Sequence, residues 1–432
     1  MSATPEPNAD DRPDGLSEGL LLEPFRAIRP SAEGPALARL LCPPYDVIDP
    51  AQRARLLEAD PDNAVAVILP EAPDGGDPYQ GAADRLGRWV RDGRFAVDAD
   101  RAVYVYEMTD AAGSRTRGLV GALQLRDPLD GVVLPHENTM AGPVADRLAL
   151  MQATDANVEM IYLVYDGGGP ASSLVATVDE HVAIADAVTP DGVRHRLWSL
   201  PDPADHETVR EDLSGRRALI ADGHHRYATY RELQQRRRAH QGPGPWDYGL
   251  TLLVDSTSYG PQVHAIHRVL PRVALPSVLD ALRDWQVSAH DVTDPHAGLS
   301  EIEGRPGFAV VLADAARGVV LLDDEGGLRG ASRRDGEPET LTELDVTVLH
   351  RGLVERVLGL SDTENTVEYA HSVDDAVEQA RASGGVALLL RSTPVAAVAA
   401  VAAAGARMPR KSTLFTPKPA SGLLLRRFAD QR

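Results

Sequence analysis

The run Ala221-Asp222-Gly223-His224-His225-Arg226-Tyr227 gathers acid, flexible backbone, imidazoles and a guanidinium within seven residues. It follows the short apolar stretch Ala218-Leu219-Ile220, and after it Tyr227, Tyr230 and Leu233 recur at helical spacing. Strand, turn and helix in that order leave the first backbone N–H groups of the helix at its positive end, a natural seat for an anion. Gly223 lets a phosphate approach the backbone closely. His224, His225 and Arg226 add donors, and Asp222 can hold Mg2+ or accept a proton. Two adjacent histidines also fit a structural role, with one facing the core and one bonded at the turn.

Four other segments carry reactive side chains. Pro135-His136-Glu137-Asn138-Thr139 suggests a metalloprotease helix, but that motif needs a second histidine where Met140 stands. What remains is Glu137 as general base or Mg2+ ligand with His136 orienting it, or else a capped loop; Asp146-Arg147 follows. In Cys42-Pro43-Pro44-Tyr45-Asp46 the two prolines fix the backbone and present Tyr45 and Asp46 rigidly. Cys42, the single cysteine, reads as a small buried apolar residue. The stretch from Gly405 to Ser412 approaches the spacing of a phosphate-binding loop, yet Arg410 replaces the required glycine and the segment follows a helix instead of opening one. Lys411, Ser412, Thr413 and Lys418 still form a polar segment suited to closing over phosphates, or a structural turn. His267-Arg268, at the end of an apolar strand, adds a phosphate contact or a sheet-edge pair.

The elements that must position these groups alternate between the two periods. Strands are expected at Ala64–Leu69, Ala102–Tyr106, Leu119–Leu125, Met160–Tyr165, Leu250–Val254 and Val263–Leu270, the last two completing a central sheet. A hairpin turn is expected over Asp110–Gly113 and a helix over Tyr79–Trp89. Further on, Phe308–Leu312 and Gly318–Leu322 form a hairpin, residues 323–338 an exposed loop, and Leu344–Leu358 a helix. Ser372 caps a helix over Val373–Ala382, and Gly385–Leu390 is a buried strand. Thr393 as cap, Pro394 in the first helical position and Gly405 beyond the end bound a last helix. The fold class is α/β, mixed with α+β. The expected organisation is a polar, disordered tail at 1–19, a core region at 20–275 and a C-terminal α/β region at 276–432. No internal repeat is present.

Composition narrows the function classes. A formal net charge of −20 argues against a general nucleic-acid binder, whose affinity rests on clustered cations. The one basic cluster, Arg231 to Arg238, reads as a solvated helix end. One cysteine excludes an internal disulfide, no signal-like start is present, and no apolar run is long enough to span a membrane. The expected compartment is the bacterial cytoplasm. Of 44 basic residues only Lys411 and Lys418 are lysines, either by chance or because a compact ammonium is needed there.

Taken together, Pro43-Pro44-Tyr45-Asp46-Val47-Ile48, His136-Glu137-Asn138-Thr139 with Asp146-Arg147, the run 221–227, His267-Arg268-Val269 and the segment 408–418 resemble the domain of unknown function 1015 family in identity and order, from about Phe25 to Leu425. The DGHHR core is also similar to that of free serine kinases of the ParB/sulfiredoxin-like superfamily. That second resemblance implies a ParB/sulfiredoxin-like core, a nucleotide phosphate at Asp222, His224, His225 and Arg226, and Glu137 as counterpart of the glutamate that activates a hydroxyl. One departure stands out: family members often carry a lysine after the glutamate segment, whereas Val144 and Ala145 precede Asp146 here.

The expected activity is phosphoryl transfer from ATP or ADP, with Mg2+, to a small polar hydroxyl compound. Glu137, Asp222 and His225 would be catalytic, and Tyr45, Asp46, His136, Arg147, Gly223, His224, Arg226, Lys411, Ser412, Thr413 and Lys418 would bind. The alternatives are a nucleotide-binding regulatory switch without turnover, and a phosphate-ester hydrolase. A homodimer is compatible with the sequence.

Overall fold

β-Branched and aromatic residues build the strand Val103–Thr109, which pairs antiparallel with Arg115–Gln124 across the expected turn. Asp110 ties that turn by accepting from the amides of Ala112 and Ser114 at 2.9 and 2.8 Å. The structure, a computed structural model, describes residues 18–431 except 73–74, 362 and 364–365. Most of the expected tail, residues 1–17, lies outside the described residues. At its end Gly19 is buried, and a Cβ there would meet the Ser214 carbonyl at 2.4 Å.

The chain forms two compact units. The first takes residues up to Val133, Met140–Gly260 and the stretch from Pro419 onward; the second takes Leu134–Thr139 and Pro261–Lys418. In the first unit the hairpin is flanked by Tyr248–Asp255, Ile161–Tyr165 and Ala218–Asp222 on one side, and by Arg194–Leu200 and Ala185–Val188 on the other. Ile161–Tyr165 runs parallel to Tyr248–Asp255, and the other neighbours named here are antiparallel. One face buries Leu163, Tyr165, Ala218, Ile220 and Leu253 in the same core as Leu148, Met151, Tyr227, Tyr230 and Leu233 from helices Ala141–Thr154 and His224–Gln241. Each leucine, isoleucine or methionine among them contributes roughly 1.5–3 kcal/mol when fully buried. The mixed α/β class read from the sequence is the class observed.

Two expected strands are not formed as read. Ala64–Leu69 is a helical turn, Val65–Ile68, with residues 64–68 all buried. A short apolar run with no exposed side reads the same for a buried strand and a buried helix. Asn63 decides it, accepting from the Val65 amide at 2.9 Å while donating to the Arg39 and Leu41 carbonyls at 2.8 Å each. Val263–Leu270 breaks into Gln262–His264 and His267–Leu270, and neither joins the first unit's sheet. The break falls at Ala265–Ile266, whose Ile266 carbonyl accepts from the Arg268 guanidinium. His267 and Arg268 therefore open a strand instead of ending one.

The second unit is an antiparallel sheet in the order Ser288–Val292, Gly318–Leu322, Ala309–Ala313, Val386–Leu389, His267–Leu270, Glu368–Ala370. The expected loop 323–338 contains the helix Gly327–Ser332, started by Asp323, which accepts from the amides of Leu328 and Arg329 at 3.2 and 2.9 Å. Residues Val348–Val357 are helical as expected but wound as a wider π-helix. Ser372 caps its helix, accepting from Asp375 N at 3.1 Å. In the last helix, Val395–Ala403, Pro394 takes the cap position expected of Thr393, because its carbonyl accepts the Ala397 amide at 2.9 Å. Gly405 follows that helix with φ 72°, as its place in the sequence requires. Among the described residues no helix is long and apolar enough to cross a membrane.

The C-terminal stretch is fastened to the first unit by buried polar contacts. Ala420 N donates to Tyr106 Oη at 3.1 Å, Tyr106 Oη meets His195 Nδ1 at 2.8 Å, and His195 Nε2 meets Thr189 Oγ1 at 3.0 Å. Burial pushes His195 down to about 4, from an ordinary value of 6.5. The fold therefore holds the neutral ring, while the unfolded chain takes up a proton below pH 6.5. The stability from the neutral ring is complete above that pH and is lost as pH falls toward 4, at about 1.4 kcal/mol per pH unit. We expect His195→Gln to flatten the pH dependence of urea unfolding by close to one proton across this window; parallel curves for the two proteins would refute it.

Candidate functional site

The site begins with a slip in strand pairing. Along Ala218–Asp222, Ile220 faces Leu163 but Asp222 faces Tyr162, so Ala221 is the extra residue of a bulge. Bulges re-aim the residue that follows. Gly223 comes next with φ 93°, a left-handed conformation that disfavours any side chain, and a Cβ would also lie 3.1 Å from the Arg226 guanidinium. Its carbonyl accepts the Tyr227 amide at 2.8 Å and starts an 18-residue helix, His224–Gln241. Because the cap is glycine, no cap side chain occupies the first-turn amides. The expected strand, turn and helix at 218–241 are all formed. The basic stretch at the end of this helix is paired, with Arg231, Arg236, Arg237 and Arg238 meeting Asp127, Glu232, Asp155 and Asp247.

Arg226 folds back from the first turn to pair with Asp222 and to donate to the Met160 carbonyl. Both partners are buried, with side chains 4% and 10% exposed. Burial works against the charged guanidinium, but Asp222, Glu159 and Asp46 outweigh it and raise its pKa above the ordinary value. Two buried polar atoms, Arg226 Nε and Tyr162 Oη, have no hydrogen-bond partner among the described residues. Burial pushes the Tyr162 hydroxyl well above its usual range, with Asp222 adding to the effect.

His224 is buried at the first helical position. His225 is half-buried, and its Nε2 accepts from the Met140 amide at 3.0 Å, which leaves the proton on Nδ1. Burial holds its pKa below the ordinary value; Asp46 and Asp222 oppose this and Arg226 reinforces it. His225 is thus a neutral imidazole with one donor to spend.

Pro44 leads into a 3-10 turn at Tyr45–Val47 that sets Tyr45 and Asp46 beside this helix start. The Tyr45 amide donates to Glu159 Oε1 at 3.1 Å, and the Arg147 guanidinium lies 4.3 Å from the centre of the Tyr45 ring. Burial pushes the Tyr45 hydroxyl up to about 12. Arg147 bonds Asp146 at 2.8 Å and lies 3.5 Å from Glu159, and Ser421 Oγ donates to Glu159 at 3.2 Å. Asp46 is exposed and acts electrostatically on His225 and Arg226. The first unit therefore brings together Tyr45, Asp46, Arg147, Asp222, Gly223, His224, His225 and Arg226. Both guanidiniums are spent on carboxylates and carbonyls, where they hold the strand end and helix start in place.

Cys42 is buried, and burial, with Glu159 nearby, raises its thiol well above the ordinary value, so it is inert packing as read. Glu159 was missed in the sequence, although a lone acid inside Val158-Glu159-Met160-Ile161 signals a buried carboxylate that must find partners. A resident divalent cation does not fit. Asp222 is closed by Arg226, and among the described residues no three His, Cys, Asp or Glu side chains converge.

The other sequence-selected residues belong to the second unit. His136 Nε2 meets Thr413 Oγ1 at 3.0 Å, and its carbonyl accepts the Met408 amide at 2.9 Å. Ser412 Oγ donates to the Pro409 carbonyl. Glu137 is half-buried, Lys411 exposed and Lys418 half-buried. Arg268, read as a phosphate contact or half of a sheet-edge pair, is wholly buried and donates to the Arg410 and Lys411 carbonyls at 3.1 and 3.0 Å.

Residues 22–347 match the model of a family described as a protein of unknown function, DUF1015. No curated protein matches the sequence. Among solved structures, a free serine kinase variant in complex with ADP is 16% identical, covers 66% of this chain and 84% of its own, and has a TM-score of 0.35. A conserved hypothetical protein from Pyrococcus furiosus is 13% identical over 69% and 94% of the two chains, with a TM-score of 0.35. SbnI with a C-terminal truncation, from Staphylococcus aureus, is 10% identical over 70% and 85%, with a TM-score of 0.36. At these scores none of the three assigns a role to a residue of this chain.

Removing Arg226 would strand a buried carboxylate, at a cost of about 3–5 kcal/mol for a broken buried pair. Arg226→Met should lower the stability of the first unit by that amount in urea unfolding. Adding Asp222→Asn should recover a large part of the loss. A single variant as stable as wild type would show that the pair does not hold the helix start.

Proposed function

This chain belongs to the DUF1015 family of proteins of unknown function, and we propose that it moves a phosphoryl group from a nucleotide, ATP or ADP, to a small hydroxyl-bearing metabolite. The observation that carries this reading is the helix start at 222–226. A glycine-capped, 18-residue helix opens directly after Asp222, the acid that follows the bulge, and two buried polar atoms nearby have no hydrogen-bond partner among the described residues. A helix start with no cap side chain over it, and the positive helix end, favour a phosphate, and Gly223 lets it come close. Arg226, locked by Asp222, adds a fixed positive charge, and His225 offers its Nδ1 proton as a donor. Phosphoryl transfer is mostly positioning and charge neutralisation, which such a set of groups supplies.

In this reading the acceptor oxygen forms a bond to phosphorus as the bond to the leaving nucleotide oxygen breaks. The acceptor proton passes to a carboxylate, a role that the sequence motif gives to Glu137. Magnesium enters with the nucleotide as the counter-ion of its phosphates, since Mg2+ keeps most of its water and takes only one or two carboxylates.

The test is phosphorus NMR of the full chain with ATP or ADP, Mg2+ and a panel of amino acids and polyols. A new phosphate ester should appear only when one acceptor is present. Glu137→Gln should lose that product and keep nucleotide binding, while Gly223→Val should weaken nucleotide binding at least tenfold. Nucleotide that binds without turnover across the panel, or is consumed equally without acceptor, overturns the reading.

A further inference from the structure

Only two of the 44 basic residues are lysines, and in the second unit both act electrostatically on one histidine, His371. His371 stands between the strand Glu368–Ala370 and Ser372, the cap of the helix Val373–Ser383. Burial, then Lys411 and Lys418, hold its pKa below the ordinary value, and Asp375 is the acid that opposes them. The strand opposite contributes His267, itself held down to about 4 by burial and by Arg268, His296 and His371. Among the described residues neither Lys411 nor His371 is ion-paired with a carboxylate. That is unexpected in a chain with 64 acidic side chains.

Lys411 is also held deliberately. Its φ is 50°, a left-handed conformation rare for a residue with a long side chain. Arg268, fully buried, turns the carbonyls of Arg410 and Lys411 inward through Nη2 at 3.1 and 3.0 Å, while its Nε bonds His350 at 2.9 Å. The Tyr369 ring has the Arg268 guanidinium 5.2 Å and the Lys411 ammonium 6.0 Å from its centre. A buried guanidinium thus fixes the backbone of an exposed lysine near a second cation and a histidine. A lysine held in this way beside a histidine favours an anion that both can meet.

We propose that Lys411, Lys418 and His371 form an anion site in the second unit that takes a phosphate-bearing small molecule, with Arg268 as the positioning residue that sets Lys411. The proposal stands on the second unit alone and does not depend on the reading of the helix start at Gly223. An anion seated here stabilises the imidazolium, so binding is accompanied by proton uptake at His371.

The test uses the full chain and inorganic pyrophosphate at pH 7, followed by calorimetry and by NMR titration of His371. Pyrophosphate should raise the His371 pKa. Lys411→Ala should weaken binding at least tenfold and His371→Ala several-fold, while Gly223→Val retains a wild-type event at His371. Without any ligand, Lys411→Ala should already raise the His371 pKa, because a repelling cation is gone. Arg268→Lys should do the same with unchanged circular dichroism, because it keeps the charge but loses the Nη2 hold on two carbonyls. Wild-type affinity in both Lys411→Ala and His371→Ala, or a His371 titration untouched by pyrophosphate, overturns the proposal. Loss of the His371 response in Gly223→Val also overturns it, and would place the pyrophosphate at the helix start instead.

Discussion

The buried pair between Asp222 and Arg226 is the constraint on which the candidate site depends. Taking two charges out of water costs several kcal/mol per ion, and mutual attraction offsets this only when further hydrogen bonds complete the set. Here the Met160 carbonyl takes a second guanidinium donor, and the pair spans from strand end to first helical turn. The bulge at Ala221 and the positive φ of Gly223 are thereby fixed in one arrangement. A guanidinium left free to bind ligand would be more mobile and would attract counter-ions. Locked inside, it contributes a permanent field and leaves the backbone amides as the groups that can meet an anion.

Glu159 performs a parallel service one layer away. Its carboxylate accepts from the Tyr45 amide and the Ser421 hydroxyl and lies against Arg147. Four stretches of chain, around residues 45, 147, 159 and 421, are thereby tied together within the first unit. The rigid turn that carries Tyr45 and Asp46 owes its place to this carboxylate as well as to its two prolines.

Much of this was legible in the sequence where chemistry is local. Asp222-Gly223 before a helical period, the Asp110 turn, the Ser372 cap and Gly405 are short-range signals, and each is formed as read. What was not legible is set by distant partners. The run 64–69 is apolar on every side, so only the contacts of Asn63 with residues 39 and 41 select a helical turn. Val263–Leu270 breaks where Arg268 turns back on the Ile266 carbonyl, which no period reveals. Arg147 and Arg226 were read as contacts to a ligand, and Arg268 as a phosphate contact or a sheet-edge pair, whereas each is committed to protein groups. A guanidinium looks the same in sequence whether its partner is a phosphate or a buried carboxylate.

The central claim is that the amides opening the helix after Asp222 seat a phosphate. The most direct measurement is a crystal structure of the full chain grown with ADP. The account predicts a phosphate within hydrogen-bond distance of the amides of His224 and His225, with the Asp222–Arg226 pair intact beneath it. Nucleotide bound elsewhere, with those amides facing only solvent or protein, would contradict it.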